Sequence, residues 1–187
     1  PKDHTLVLIN SKVKHELVGS PYNDRRRSCE NVVSALAEHF PGKHFETLRD
    51  AELDELLAVE NEVSTEDYRR AHFVLGEKER VLAVCDALNR GDYETVGRMM
   101  YETHEGLSKE YEVSCEELDY LNQLAREAGV TGSRIMGGGF GGCTINLVSN
   151  DVYDDFISTA IAKFKSRYGH APEVYPVVIS AGSHKVC

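Results

Sequence analysis

The six residues Gly137-Gly138-Gly139-Phe140-Gly141-Gly142 carry the strongest chemical signal in this sequence. Five residues without a Cβ allow backbone amides to come close to an anionic or polar ligand. The run formally matches G-x-G-x-x-G, but its context rejects the usual meanings of that pattern. A dinucleotide site needs the glycines to open a helix, so that the pyrophosphate rests on the helix N-terminus. Here a strand-like run, Cys143-Thr144-Ile145-Asn146-Leu147-Val148, follows instead. A Walker A loop needs Gly-Lys-Ser/Thr, and Gly142-Cys143-Thr144 has no lysine. A protein-kinase glycine loop sits between strands, yet it requires a Val-Ala-Ile-Lys and a catalytic-loop signature downstream, and neither precedes Cys187. Two readings survive. The run is a turn that cradles a ligand, or a tight hairpin that uses glycine only for positive φ.

Other residue types that could do chemistry are weaker candidates. Arg25, Arg26 and Arg27 could attract phosphate, but three consecutive helical residues point in three directions. The expectation is one structural ion pair and two solvated side chains. His72 and His104 fall within helical stripes and read as core or boundary residues rather than bases. Cys143 follows the glycines without an identifiable base, which argues against a catalytic thiol. The acidic stretch from Asp50 to Asp67 lacks the dense spacing of a calcium loop and reads as a solvated face.

These residues must be held by elements that the hydrophobic pattern predicts. Thr5 to Asn10 is a buried strand. Ser20-Pro21 opens a helix, with Ser as N-cap and Pro at the first helical position; Val32, Val33, Leu36 and Phe40 form its face, and Pro41-Gly42 ends it. A short helix follows over Ala51–Val59. Ser64 and Asp67 then cap a helix with the stripe Tyr68, Ala71, Leu75, Leu82, Cys85 and Leu88, and Gly91-Asp92 stops it and caps the next, with Val96, Met99, Met100 and Leu107 inward. Ser114-Cys115-Glu116-Glu117 predicts a full capping box, before a helix that buries Leu118, Leu121, Ala125 and Ala128. Ser133–Met136 and Cys143–Val148 are strands flanking the glycines. Asp151–Arg167 is an amphipathic helix and Val174–Ser180 a last strand. The order β, helical insert, β, β, α, β is an α+β chain with a ferredoxin-like βαββαβ core and a multi-helix insertion. It reads as one unit over residues 1–187, with no repeat or linker.

Bulk composition narrows the function classes. The 187 residues are 41% hydrophobic and 28% charged, as in ordinary globular domains. A formal net charge of -10 argues against nonspecific nucleic-acid binding, although a small anionic substrate needs only local positive potential. No apolar run approaches the roughly 20 residues that span a bilayer. Five scattered cysteines without a CxxC pair suggest free thiols and a cytoplasmic protein. The start Pro1-Lys2-Asp3-His4 lacks an initiator Met and a signal-peptide pattern, which suggests a segment of a longer protein.

Four segments then resemble one family in register. Met136–Cys143 is similar to the third signature motif of galactokinases, within the GHMP small-molecule kinases. Tyr111-Glu112-Val113-Ser114-Cys115-Glu116-Glu117-Leu118-Asp119 resembles the family's YEVSCPELD segment, with Glu116 where Pro is usual. Ser20 to Glu30 resembles its S-x-Y-x-x-R-R-x-x-C-E stretch, and Asn10–His15 fits the preceding strand end, with Lys14 where Arg is common. The resemblance implies a GHMP C-terminal domain that serves phosphoryl transfer from MgATP to the anomeric hydroxyl of galactose. It places the catalytic Asp, an Arg and the serine-rich phosphate loop in an N-terminal half. No G-L-S-S-S loop or G-E-H motif occurs here. The resemblance therefore assigns no catalytic residue and no metal ligand to this chain, makes the N-terminal half its partner, and predicts that the isolated chain is inactive. Tyr22 matches the tyrosine that contacts the sugar, whereas on residue type alone it could simply pack in its first helical turn. Gly137, Gly138, Gly139, Phe140, Gly141 and Gly142 match the loop that closes over sugar and phosphate. A kinase for another hexose such as N-acetylgalactosamine, or a non-catalytic sugar sensor, would use the same scaffold.

Overall fold

A computed structural model describes residues 2–14 and 21–182 of the chain. The expected Ser20 cap, along with His15, Cys187 and the chain ends, lies outside them. Strand β1 (His4–Asn10) is followed by helix α1 (Tyr22–His39), a 3-10 turn (Leu48–Asp50) and α2 (Leu53–Ala58). Then come α3 (Thr65–Arg90), α4 (Tyr93–Lys109), α5 (Glu116–Glu127), β2 (Gly132–Met136), β3 (Cys143–Ser149), α6 (Tyr153–Tyr168) and β4 (Glu173–Pro176). The strands form one sheet in the order β2-β3-β1-β4 with every neighbour antiparallel. That is the ferredoxin-like arrangement expected from the pattern, with α5 in the place of the first helix and α1 to α4 as the insertion.

Strand side chains alternate between faces, so each face meets a different helical layer. Val7 and Ile9 of β1 and Val148 of β3 face α5 and α6, where Leu121, Leu124, Ala125, Phe156, Ala160 and Phe164 complete the main core. Leu6 and Leu147 point the other way, against Val84 and Ala87 of α3 and Val96 and Met100 of α4. A separate helical core joins Val32 and Leu36 of α1 to Leu56 of α2 and to Ala71 and Leu75 of α3.

Three local expectations change. The inward stripe of α3 holds for Ala71 and Leu75, but Leu82 and Leu88 are 65% and 51% exposed and Cys85 is exposed too. This 26-residue helix passes from the helical core to the sheet, which meets it on another side, through Val84 and Ala87. The last strand ends at Pro176 rather than Ser180; Val177 still donates its amide to the Leu6 carbonyl, beyond which Val178 is 87% exposed. The capping box at α5 does not form. Cys115 is the N-cap without a side-chain bond, because the Ser114 hydroxyl donates to the Asp119 carboxylate instead. A charged acceptor outcompetes the neutral capping arrangement.

Asp119 also receives the Ser108 hydroxyl at 3.0 Å and pairs with Nε2 of buried His104 at 3.1 Å, tying α4 to α5. Burial works to raise its pKa, but the bonds from His104, Ser114 and Ser108 outweigh it and hold the carboxyl below its ordinary value. A depressed folded pKa contributes stability that is fully present above the unfolded value of about 3.9 and fades as pH falls through the folded one. Asp119→Ala is expected to cost about 2–3 kcal/mol at neutral pH, since it strands several polar partners. The gap between variant and parent should narrow below about pH 4, which urea midpoints measured across pH would reveal.

Candidate functional site

The glycine run is the connection between β2 and β3, whose last rung pairs Met136 with Cys143. Gly137, Gly139, Gly141 and Gly142 all have positive φ, from 83° to 142°, so the turn uses glycine where other residues would be strained. The tight-hairpin reading is thus true of the backbone, but it does not account for the loop's close seating. A Cβ at Gly139 would fall 2.1 Å from the Val113 carbonyl oxygen, and one at Gly141 would fall 2.7 Å from that of Val13. The loop is bound at the same two places: the Phe140 amide donates to the Val113 carbonyl and the Gly142 amide to the Val13 carbonyl at 3.2 Å. Ser11 closes the seat, with its amide and hydroxyl both donating to the Gly142 carbonyl at 2.9 Å.

Strain is concentrated here. Among the described residues, the non-glycine positions with positive φ are Lys12 (65°), Glu112 (55°) and Phe140 (59°). Phe140 is in the loop, and each of the others immediately precedes one of the valines that seat it. A left-handed non-glycine residue costs on the order of 1–3 kcal/mol and persists where its surroundings impose it, as at ligand sites.

Tyr22 is the first residue of α1; Pro21, expected at the first helical position, is instead the N-cap, and its carbonyl accepts from the Asp24 and Arg25 amides. The Tyr22 side chain is 51% exposed, and a Cβ at Gly138 would lie 3.9 Å from its ring carbon Cε2. The fold thus brings together the tyrosine and the loop that the motifs single out. Gly137 and Gly142 have no neighbour within 4 Å of their Cβ positions, so the loop's other side is open. An aromatic hydroxyl-bearing ring beside a glycine turn with an open flank can bind a polyol on one side and let backbone amides meet an anion on the other.

Behind the site lies an arginine cluster. Arg25, one turn after Tyr22, is 8% exposed and donates from Nε to the Tyr111 carbonyl at 2.9 Å and from Nη2 to the Glu112 carbonyl. Its guanidinium lies 5.5 Å from the centre of the Phe140 ring. Burial, and then the neighbouring Arg70 charge, lower its pKa. The Glu112 carboxylate pairs with Arg69 at 2.8 Å and Arg70 at 3.2 Å. Buried Arg70 also donates to the Ser28 hydroxyl at 2.9 Å and pairs with Glu66. The sequence predicts one structural ion pair among residues 25–27; Arg25 is the buried one, bonded mainly to carbonyls and 3.9 Å from the Glu112 carboxylate. Arg26 and Arg27 are exposed and pair locally with Glu30 and Asp24. The supporting residues Ser11, Val13, Glu112 and Val113 were missed. They act mainly through backbone groups, which leave no pattern of side-chain type.

The remaining candidates are structural. His104 is buried, as expected, but His72 is exposed and pairs with Glu110 at 2.9 Å, because its position on α3 points away from the helical core. Burial, and then Glu173, push the Cys143 thiol up, which disfavours a nucleophilic thiolate. The acidic stretch holds the fold together: Asp50 accepts the Glu46 and Thr47 amides, Glu55 pairs with Lys43, and Glu52 pairs with Lys78. Among the described residues, no group of three His, Cys, Asp or Glu side chains could hold a metal ion. No helix there is long and apolar enough to cross a membrane.

Comparison with known proteins speaks to the sequence and the fold. Residues 85–166 match the family described as GHMP kinases C terminal. Human galactokinase is 40% identical over 183 residues, covering 97% of this chain and 44% of that protein. The Bos taurus galactokinase is 48% identical over 144 residues, covering 76% of this chain and 35% of the relative. The crystal structure of Lactococcus lactis galactokinase complexed with galactose superposes with a TM-score of 0.89 at 26% identity, covering 98% of this chain and 47% of that one. The chain thus spans about half the length or less of the relatives it matches. Fold, motifs and sequence agree that the chain is similar to the C-terminal portion of galactokinases, with residues 85–166 matching the C-terminal region of GHMP kinases.

Proposed function

We propose that this chain is the C-terminal half of a cytoplasmic galactokinase, which transfers the terminal phosphoryl group of ATP to the anomeric hydroxyl of galactose, giving galactose 1-phosphate and ADP. The observation that carries the reading is the seating of the glycine loop beside Tyr22 at the start of α1. Tyr22 forms one wall of the sugar site. Gly137 to Gly142, with Phe140, form a lid whose amide dipoles face the transferring phosphate. In such a transfer the protein contributes positioning and electrostatic stabilisation, so rigid walls and pre-aimed dipoles are what this half can add.

On this reading magnesium accompanies ATP in the reaction. Metal ligation and the acid–base group belong, on this reading, to an N-terminal partner portion, and the isolated chain supports no turnover.

The test is a MgATP-dependent assay of the full-length polypeptide on galactose, N-acetylgalactosamine and glucose. Galactose is expected to react fastest. Tyr22→Ala is expected to raise KM for galactose about tenfold, as loss of one sugar contact would. Faster turnover of another sugar would move the substrate assignment, and binding of galactose and ATP without phosphorylation would overturn the kinase reading.

A further inference from the structure

We propose that Arg25 is a positioning residue that fixes the glycine loop relative to Tyr22. The inference rests on the kinase reading for its role in turnover, and on geometry alone for its hold on the loop.

A buried arginine needs partners for its donors; Arg25 gives Nε and Nη2 to the carbonyls of Tyr111 and Glu112, and Nη1 to the Pro21 carbonyl at the start of its own helix at 3.4 Å. The first two carbonyls flank the left-handed turn at Glu112 that presents the Val113 carbonyl, the seat of Phe140. The same guanidinium faces the Phe140 ring, an arrangement in which a cation is attracted to the ring face. One side chain thereby touches three things: the helix that bears Tyr22, the strained support of the loop, and the loop itself. The Glu112 carboxylate lies 3.9 Å from Arg25 but closer to Arg69 and Arg70, at 2.8 and 3.2 Å, so Arg25 is not its principal counter-ion. A planar fork can hold two carbonyls while lying over a ring; a lysine ammonium on a flexible stem cannot.

The experiment uses the full-length polypeptide with Arg25→Lys, and Arg26→Met as the control. In Arg25→Lys, hydrogen exchange at the Phe140 and Gly142 amides is expected to accelerate about tenfold or more, with α5 and α6 unchanged. In Arg26→Met neither region should change. Turnover of galactose should fall about tenfold in kcat with KM nearly constant, because Tyr22 stays on its helix while the loop loses its aim. Phe140→Leu should speed exchange at Gly142 in its own right, and it provides the readout if Arg25→Lys does not fold. In the double variant the loss in kcat should be smaller than the product of the single losses, since both break one contact.

Unchanged loop exchange in Arg25→Lys, or acceleration spread evenly over α5 and α6, overturns the proposal. So does strict additivity with Phe140→Leu. If the parent polypeptide phosphorylates no galactose, the kinase reading fails by itself, and loop exchange alone decides whether Arg25 holds the loop.

Discussion

Under the proposed kinase function, Gly139→Ala in the full-length polypeptide is expected to lower kcat/KM for galactose by about a hundredfold, the scale on which a misplacement near 1 Å acts. The added methyl would sit 2.1 Å from the Val113 carbonyl oxygen and 2.9 Å from its Cβ, so something must move. The Val113 carbonyl is held in a strained, arginine-pinned segment, whereas the loop is a connection between two strand ends that is exposed at Gly137 and Gly138. The loop therefore moves outward, breaks the Phe140 amide bond to Val113, and withdraws from Tyr22. Left-handed backbone adds roughly 1–2 kcal/mol of strain for alanine at a φ of 83°. Because strand pairing and both cores lie elsewhere, the melting temperature should drop only slightly. Gly137→Ala separates the two effects: its φ is 85°, but its Cβ would meet nothing within 4 Å. It should lose much less activity. Equal losses in the two variants would mean that backbone strain, not loop position, governs turnover. Full activity in Gly139→Ala would remove the loop from the phosphate-transfer region altogether.

What the sequence made legible is local. Period-two and period-3.6 patterns located every strand and helix of the sheet core, and the glycine run declared itself by composition. The meeting of Tyr22 with Gly138 was not legible from spacing, since it depends on α1 beginning beside the β2–β3 connection, far along the chain. Only the family motifs linked them. The loop's seats at Val13 and Val113 were invisible because a carbonyl oxygen is common to all residues. Arg25 was half legible: one of three arginines was expected to be structural, but nothing in the run said that carbonyls would be its main partners, with the Glu112 carboxylate only at 3.9 Å. Ser114 shows the opposite failure, a correct local motif overridden by a better acceptor. Asp119 lies five residues on, and its charge is shared with His104 and Ser108 from another helix. The exposed half of the α3 stripe has the same origin, since a long helix changes partners along its length and the hydrophobic pattern does not name the partner.

Gly97→Ala should be the most destabilising glycine substitution in the helical layer, by about 3 kcal/mol or more, at the upper end of overpacking costs. An alanine in a helix interior ordinarily gains about 1 kcal/mol over glycine. Here that gain is outweighed, because the Cβ would lie 1.8 Å from the Thr131 carbonyl oxygen and 2.5 Å from its carbon. The contact is reciprocal: a Cβ on Gly132 would fall 2.5 Å from the Gly97 Cα. Helix α4 and strand β2 therefore touch backbone to backbone, and neither side can yield by turning a side chain. Relief requires α4 to lift off the sheet, which would loosen the contacts of Val96 and Met100 with Leu6 and Leu147. Since β2 runs directly into the glycine loop, a shift of this strand should also reach Tyr22. Urea unfolding of variant and parent measures the first effect, and galactose turnover the second. Gly42→Ala, with nothing within 4 Å of its Cβ, is the matched control and should change stability by less than about 1 kcal/mol. If Gly97→Ala is as benign as Gly42→Ala, α4 can lift without cost, and the firmness of β2 must come from β3 and from α5, whose Asn122 donates to the Ser133 carbonyl.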